Sequence, residues 1–178
     1  MRFTETPLPG VFLIEPEPIA DERGSFARIY DAAEFAAHGI DPAVVQSSVS
    51  FNKRRDTLRG MHYQAAPHGE PKLVRCVRGS VYDVALDLRP GSPAYCAWYA
   101  AELDPDGGGM LFMPTGVAHG FQTLADGSEV LYQMGYEYVP EAGRGVRWDD
   151  PAFGIEWPEP ADERTISERD RTYPNFTR

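Results

Sequence analysis

Residues 81–88 alternate without a break. Tyr82, Val84, Leu86 and Leu88 fall on one side of an extended chain, and Val81, Asp83, Ala85 and Asp87 on the other. A side-chain period of two belongs to a β-strand. Turn text closes the run at both ends, Arg78-Gly79-Ser80 before it and Arg89-Pro90-Gly91-Ser92-Pro93 after it. Similar short apolar runs occupy 44–51, 58–64, 73–77, 94–103, 110–113, 120–124 and 129–138. Many short strands punctuated by Gly and Pro predict an all-β sandwich or barrel. The jelly roll is one closed form of it, often with a site in its mouth.

The 17 glycines and 16 prolines are spread along the chain, so no linker divides it, and one domain over residues 1–178 is expected. The run Asp104-Pro105-Asp106-Gly107-Gly108-Gly109 reads as a turn. One short helix is expected after Asp31, with Glu34 as its capping-box partner, alanines inside and Gly39 at its end. From Asp149 onward the text is Pro-rich and acidic, as expected of an irregular tail packed on the body.

A 178-residue chain buries roughly 70% of its unfolded surface, so it needs no metal or disulfide staple. The formal net charge of -10 argues against nucleic acid and anionic membranes as partners. Cys76 and Cys96 are the only cysteines and read as thiols of a reducing cytoplasm. No signal peptide and no membrane span is legible. Against the overall charge, residues 52–89 carry eight basic and four acidic side chains, net +4. Such a segment is either a solvated strand face or the lining of a pocket for a small anion.

Of the four histidines, His38 reads as a surface or helix-capping residue and His68 as solvent-facing. His62 and His119 differ, because both lie in apolar strand text with Arg and Lys nearby. In Thr57-Leu58-Arg59-Gly60-Met61-His62-Tyr63-Gln64, strict alternation puts Arg59 and His62 on opposite faces, and a bulge at Gly60 would bring them together. His119 follows a Pro114-x-Gly116 turn. No serine-nucleophile, dinucleotide or P-loop text is present. Proton transfer remains, and it needs a base, an acid across the substrate and a group to hold developing negative charge. His62 is the candidate base, with Asp170 or Asp83 behind it; Tyr132 is the candidate acid, and Lys72 the enolate stabiliser.

Together these texts resemble the dTDP-4-dehydrorhamnose 3,5-epimerase family and its relatives acting on nucleotide-linked 4-keto-6-deoxyhexoses. The matching segments are Asp21-Glu22-Arg23-Gly24 with Phe26, the 57–64 text, Lys72-Leu73-Val74-Arg75-Cys76, residues 83–89, Gly91-Ser92-Pro93, residues 114–121, Arg147-Trp148-Asp149-Asp150-Pro151, residues 154–158, and Ile166-Ser167-Glu168-Arg169-Asp170. The resemblance implies a cupin-like jelly-roll barrel with one or two short helices and an irregular C-terminal tail. It implies His62 as base paired with Asp170, Tyr132 as proton donor and Lys72 beside the sugar's C4 oxygen. It assigns substrate contacts to Arg23, Phe26, Gln46, Ser48, Arg59, His119, Tyr138 and Arg169, with Tyr138 stacking on the base. It further implies a metal-free cytoplasmic homodimer whose N-terminal segment reaches the partner's site, with no cofactor. Metal-binding cupins carry a His-x-His pair, and here Tyr63 and Gln64 follow His62; His62, His119 and Glu70 are the ligands left to a metal-dependent alternative. Inversion at C3 alone, rather than at C3 and C5, and a non-catalytic sugar-nucleotide binder are the other readings.

Overall fold

The computed structural model describes residues 1–41 and 43–177. The strands in chain order are β1 (Arg2–Glu5), β2 (Phe12–Glu15), β3 (Ile19–Asp21), β4 (Gly24–Phe26), β5 (Gln46–Asn52), β6 (Thr57–Gln64) and β7 (Lys72–Arg78). They continue with β8 (Val81–Asp87), β9 (Trp98–Leu103), β10 (Met110–Met113), β11 (Val117–Thr123), β12 (Ser128–Met134), β13 (Gly143–Gly145) and β14 (Thr165–Ile166). Among the described residues there are also two short α-helices, α1 (Ala32–Ala37) and α2 (Glu168–Arg171), and one 3-10 turn, Pro140–Ala142. One large sheet runs β1-β2-β10-β7-β12-β5 and the other β13-β6-β11-β8-β9, with β14 added in parallel to β6, while β3 and β4 pair as a separate hairpin. The chain is a jelly-roll barrel of the cupin-like class, as its text predicts.

The alternation of β8 is legible in the packing. Val81 and Ala85 point between the sheets, where they meet Val74, Cys76, Leu111, Val117, Phe121 and Val130. Val84 and Leu86 point the other way, and the tail covers them with Val146, Phe153, Trp157 and Phe176. Both faces of the strand are therefore buried. Each fully buried aliphatic contributes about 1.5–3 kcal/mol. The outer face of the first sheet is covered at Ile14, Leu73 and Met110 by Phe35 and Ile40, on and just after α1. Asp31 caps α1 by accepting from the Ala33 and Glu34 N–H groups. Glu34 does not close the capping box; its carboxylate takes the Met1 amino group at 3.0 Å.

Other expectations need correction. The stretch 94–97 is not strand but a turn, with Cys96 at φ 68°, wrapped around Asp87. The buried Asp87 carboxylate accepts from Arg89 and Ser92, which this Pro-rich loop carries. β11 begins at Val117 rather than Gly120, and β12 ends at Met134 rather than Tyr138. His68 is half-buried, with Nδ1 3.4 Å from the Tyr136 hydroxyl. Among the described residues no helix is long and apolar enough to cross a membrane.

Candidate active site

A cavity of about 860 Å³ opens between the sheets. Gln46 and Ser48 of β5, Lys72 of β7 and Tyr132 of β12 line it from the first sheet. Arg59 and His62 of β6 and His119 of β11 line it from the second. The tail closes one side with β14 and α2, which bring Arg169 and Asp170, and Tyr138 stands at the rim with 58% of its surface exposed. Of the residues expected at the site, Arg23 and Phe26 are the exceptions. They lie on the β3–β4 hairpin, outside this cavity, with the Phe26 ring 73% exposed and Arg23 paired to Asp21.

Arg59 and His62 reach the same cavity because β6 carries one residue too many. His119 opposes His62, and Phe121 opposes Arg59, so two steps on β11 match three on β6. Such a bulge reverses the side-chain parity of everything beyond it. Gly60 makes it possible. Its φ is +129°, and a Cβ there would meet the Gly120 Cα at 2.5 Å and the His119 carbonyl oxygen at 3.0 Å. Only glycine accepts that conformation with another backbone so near.

The two histidines sit side by side on β6 and β11, and each has its own carboxylate. His62 Nε2 lies 2.7 Å from Asp170 Oδ1, and the Gly60 N–H donates to Asp170 Oδ2 at 3.3 Å. His119 Nε2 lies 2.7 Å from Asp83 Oδ1. The open choice between Asp170 and Asp83 is thus resolved in space: Asp83 belongs to His119. Burial alone would raise the Asp170 carboxyl, but hydrogen bonds and charge from His62, then Gly60 N–H and the Ser167 hydroxyl, hold it below the usual 3.8. An ionised Asp170 accepts from His62 Nε2–H, which leaves Nδ1 as the unprotonated nitrogen of the neutral ring.

Across the cavity Tyr132 has the opposite character. Burial pushes its phenol far above the ordinary 10.0, and the Asp83 carboxylate adds to this against a smaller effect of Arg59. The hydroxyl therefore stays protonated at any working pH. Its ring lies 5.7 Å from His119, edge to face. Lys72, on the adjoining strand β7 two residues from the ladder partner of Tyr132, donates to Glu70 at 2.9 Å and to the His62 carbonyl at 3.4 Å. An ammonium has three donors, so one is left for an oxygen in the cavity.

Glu70 as partner of Lys72 was not legible, because a loop places it. Ser167, which caps α2 and accepts the Asp170 N–H, had a signal: Ser167-Glu168-Arg169-Asp170 is capping-box text. The metal-ligand alternative does not assemble. His62 and His119 give Nε2 to carboxylates, Glu70 holds Lys72, and among the described residues no three His, Cys, Asp or Glu side chains converge for a metal ion.

The family model described as dTDP-4-dehydrorhamnose 3,5-epimerase matches residues 5–178. A protein of that name from Methanothermobacter thermautotrophicus is 42% identical over 174 residues, covering 97% of this chain and 92% of its own. The crystal structure of dTDP-4-dehydrorhamnose 3,5-epimerase from Bacillus anthracis with TDP and PPi bound superposes with a TM-score of 0.93 at 33% identity, covering 98% of this chain and 99% of that one. A 3′-monoepimerase from Streptomyces bikiniensis, in complex with dTDP-quinovose, gives a TM-score of 0.88 at 32% identity over 96% of this chain and 85% of its own. With its jelly-roll frame and a match spanning nearly every residue, this chain belongs to the dTDP-4-dehydrorhamnose 3,5-epimerase family.

Proposed function

We propose that the chain inverts C3 and C5 of dTDP-4-keto-6-deoxyglucose by proton removal and return through an enolate. The observation that carries this is the His62–Asp170 pair, held by β6 and α2, facing a neutral Tyr132 on the opposite sheet across a single cavity. The C4 ketone acidifies the hydrogens at C3 and C5. His62 Nδ1 takes one of them, and the imidazolium that forms is stabilised by Asp170. The electron pair moves onto the C4 oxygen, where the third N–H of Lys72 meets it. The Tyr132 hydroxyl then gives its proton to the carbon from the opposite face, which inverts the centre. Exchange with solvent returns the proton from His62 to Tyr132, so the reaction is an isomerisation with no net change in protons or electrons. The reaction asks for no cofactor.

Substrate binding follows the same layout. Arg59 and Arg169 face the diphosphate, His119 and Gln46 flank the ligand beside Ser48, and Tyr138 covers the base. Arg23 and Phe26 act from the hairpin of a second copy in a homodimer. The free thiols of Cys76 and Cys96 suit a reducing cytoplasm.

The test is proton NMR in D2O with dTDP-4-keto-6-deoxyglucose. Deuterium entering at both C3 and C5 is expected. Entry at C3 alone would make the chain a monoepimerase, a reading favoured by its likeness to the 3′-monoepimerase. No entry at either carbon would overturn the proposal.

A further inference from the structure

The two arginines on the cavity wall share an arrangement that the reaction chemistry does not require. Arg59 donates its Nε–H to Asn52 Oδ1 at 2.8 Å, and Arg169 donates its Nε–H to the Tyr173 hydroxyl at 2.8 Å. Both acceptors are uncharged. Elsewhere Arg2 and Arg89 are held by Glu15 and Asp87, and their charge is neutralised there. Arg59 and Arg169 form no ion pair among the described residues, so both keep their full charge for a ligand.

The choice of Nε matters. A guanidinium offers an oxyanion two bidentate edges, a side edge using Nε and one Nη, and an end edge using both Nη groups. With Nε engaged, only the end edge stays free. The anchor therefore fixes which edge the anion meets and removes rotamers that would otherwise have to be frozen on binding.

Tyr173 is itself held firmly. A Cβ on Gly145 would lie 2.3 Å from the Tyr173 ring, so the phenol rests directly on the β13 backbone. Gly145 is the ladder partner of His62, and the Tyr173 ring stands edge-on to the imidazole at 6.3 Å. Tyr173 is not among the residues that line the cavity; it reaches Arg169 and His62, which are. Asn52, which anchors Arg59, is likewise fixed, because its amide donates to the Ser50 and Ser128 carbonyls.

We infer that Tyr173 is a positioning residue for anion binding: its hydroxyl holds the Arg169 guanidinium end-on to the diphosphate of the ligand. This rests on the epimerase reading only for the identity of that anion, so the experiment measures binding before turnover. The probe is dTDP, titrated by calorimetry into wild type, Tyr173→Phe, Arg169→Lys and the double variant. Tyr173→Phe keeps the ring on Gly145 and removes one hydrogen bond to a charged donor. It is expected to weaken dTDP about 3- to 10-fold. KM for the sugar nucleotide should rise in parallel, with kcat kept within about twofold. Lysine has no Nε–H to anchor, so in the Arg169→Lys background the same change should move the affinity less than about twofold. Gly145→Ala, which displaces the ring, should reproduce the loss of affinity. Unchanged dTDP affinity in Tyr173→Phe, a fall in kcat without one in affinity, or an equal loss in the Arg169→Lys background would each overturn the inference. Wild-type protein that binds dTDP but exchanges no hydrogen of the substrate would overturn the epimerase reading alone.

Discussion

His62 and His119 are chemically alike, each with Nε2 2.7 Å from a carboxylate, and exposure separates them. The His62 side chain is 38% exposed and His119 6%, so the first opens far more of its ring to a substrate in the cavity. We expect His62→Ala and Tyr132→Phe each to lower kcat by at least about 10²-fold while dTDP affinity survives, read by steady-state kinetics and calorimetry. Since the Tyr132 phenol titrates far above its ordinary value, it should add no alkaline limb to the wild-type rate up to about pH 10. Asp170 carries a pH consequence for stability. Its folded carboxyl titrates below the unfolded 3.8, so its contribution is complete above that value and is lost as pH falls through the lower folded one. Asp170→Asn lacks this contribution. The gap in urea midpoint between wild type and Asp170→Asn should therefore be widest near neutrality and shrink below about pH 4. A gap that holds constant into acid would mean the pair does not stabilise the fold through charge.

β6 is the element on which the site depends, and Gly60 is its critical position. Ala at 60 would have to adopt a φ of +129° and push the Gly120 backbone away. We expect Gly60→Ala to cost about 2–4 kcal/mol in chemical denaturation, and the remaining folded protein to lose activity because β6 loses its bulge. The bulge also marks where sequence reading reaches its limit. β8 could be read directly, since a strict period of two survives when both faces are buried. β10 could be read to the residue, because Gly107-Gly108-Gly109 and Pro114 bound it. β1 and β2 could not. They are four residues each, lack alternation, and β2 is completed by β10, nearly a hundred residues away. The same holds in the site. His62, Tyr132 and Lys72 stand in recognisable text, whereas the Asp83–His119 and Glu70–Lys72 pairings exist only once strands and loops are assembled. The choice of Asp170 over Asp83 rests on the resemblance, because no local pattern links a tail carboxylate to a histidine 108 residues earlier.

At the scale of the molecule, an acidic chain of net charge -10 sets Arg59 and Arg169, bonded only to uncharged acceptors, on one cavity, yet one arginine implied in binding stands elsewhere. The β3–β4 hairpin carries Arg23, with Ile19 75% and Phe26 73% exposed, and it lines none of this chain's site. Exposed apolar side chains on a short hairpin, joined to a barrel that also exposes Val45, Val49 and Phe51 on and beside its edge strand β5, suit burial against a second copy. In a two-fold dimer each hairpin would then serve the other chain's cavity. Subunit mixing tests this directly. His62→Ala and Arg23→Ala are each expected to be inactive or strongly impaired as homodimers. Mixed in equal amounts and allowed to exchange, they form hybrids in which one site carries both lesions and the other carries neither. Roughly a quarter of all sites then regain wild-type composition, and activity should return to about that fraction. If Arg23 instead served its own chain, every hybrid site would hold one lesion, and mixing would restore nothing.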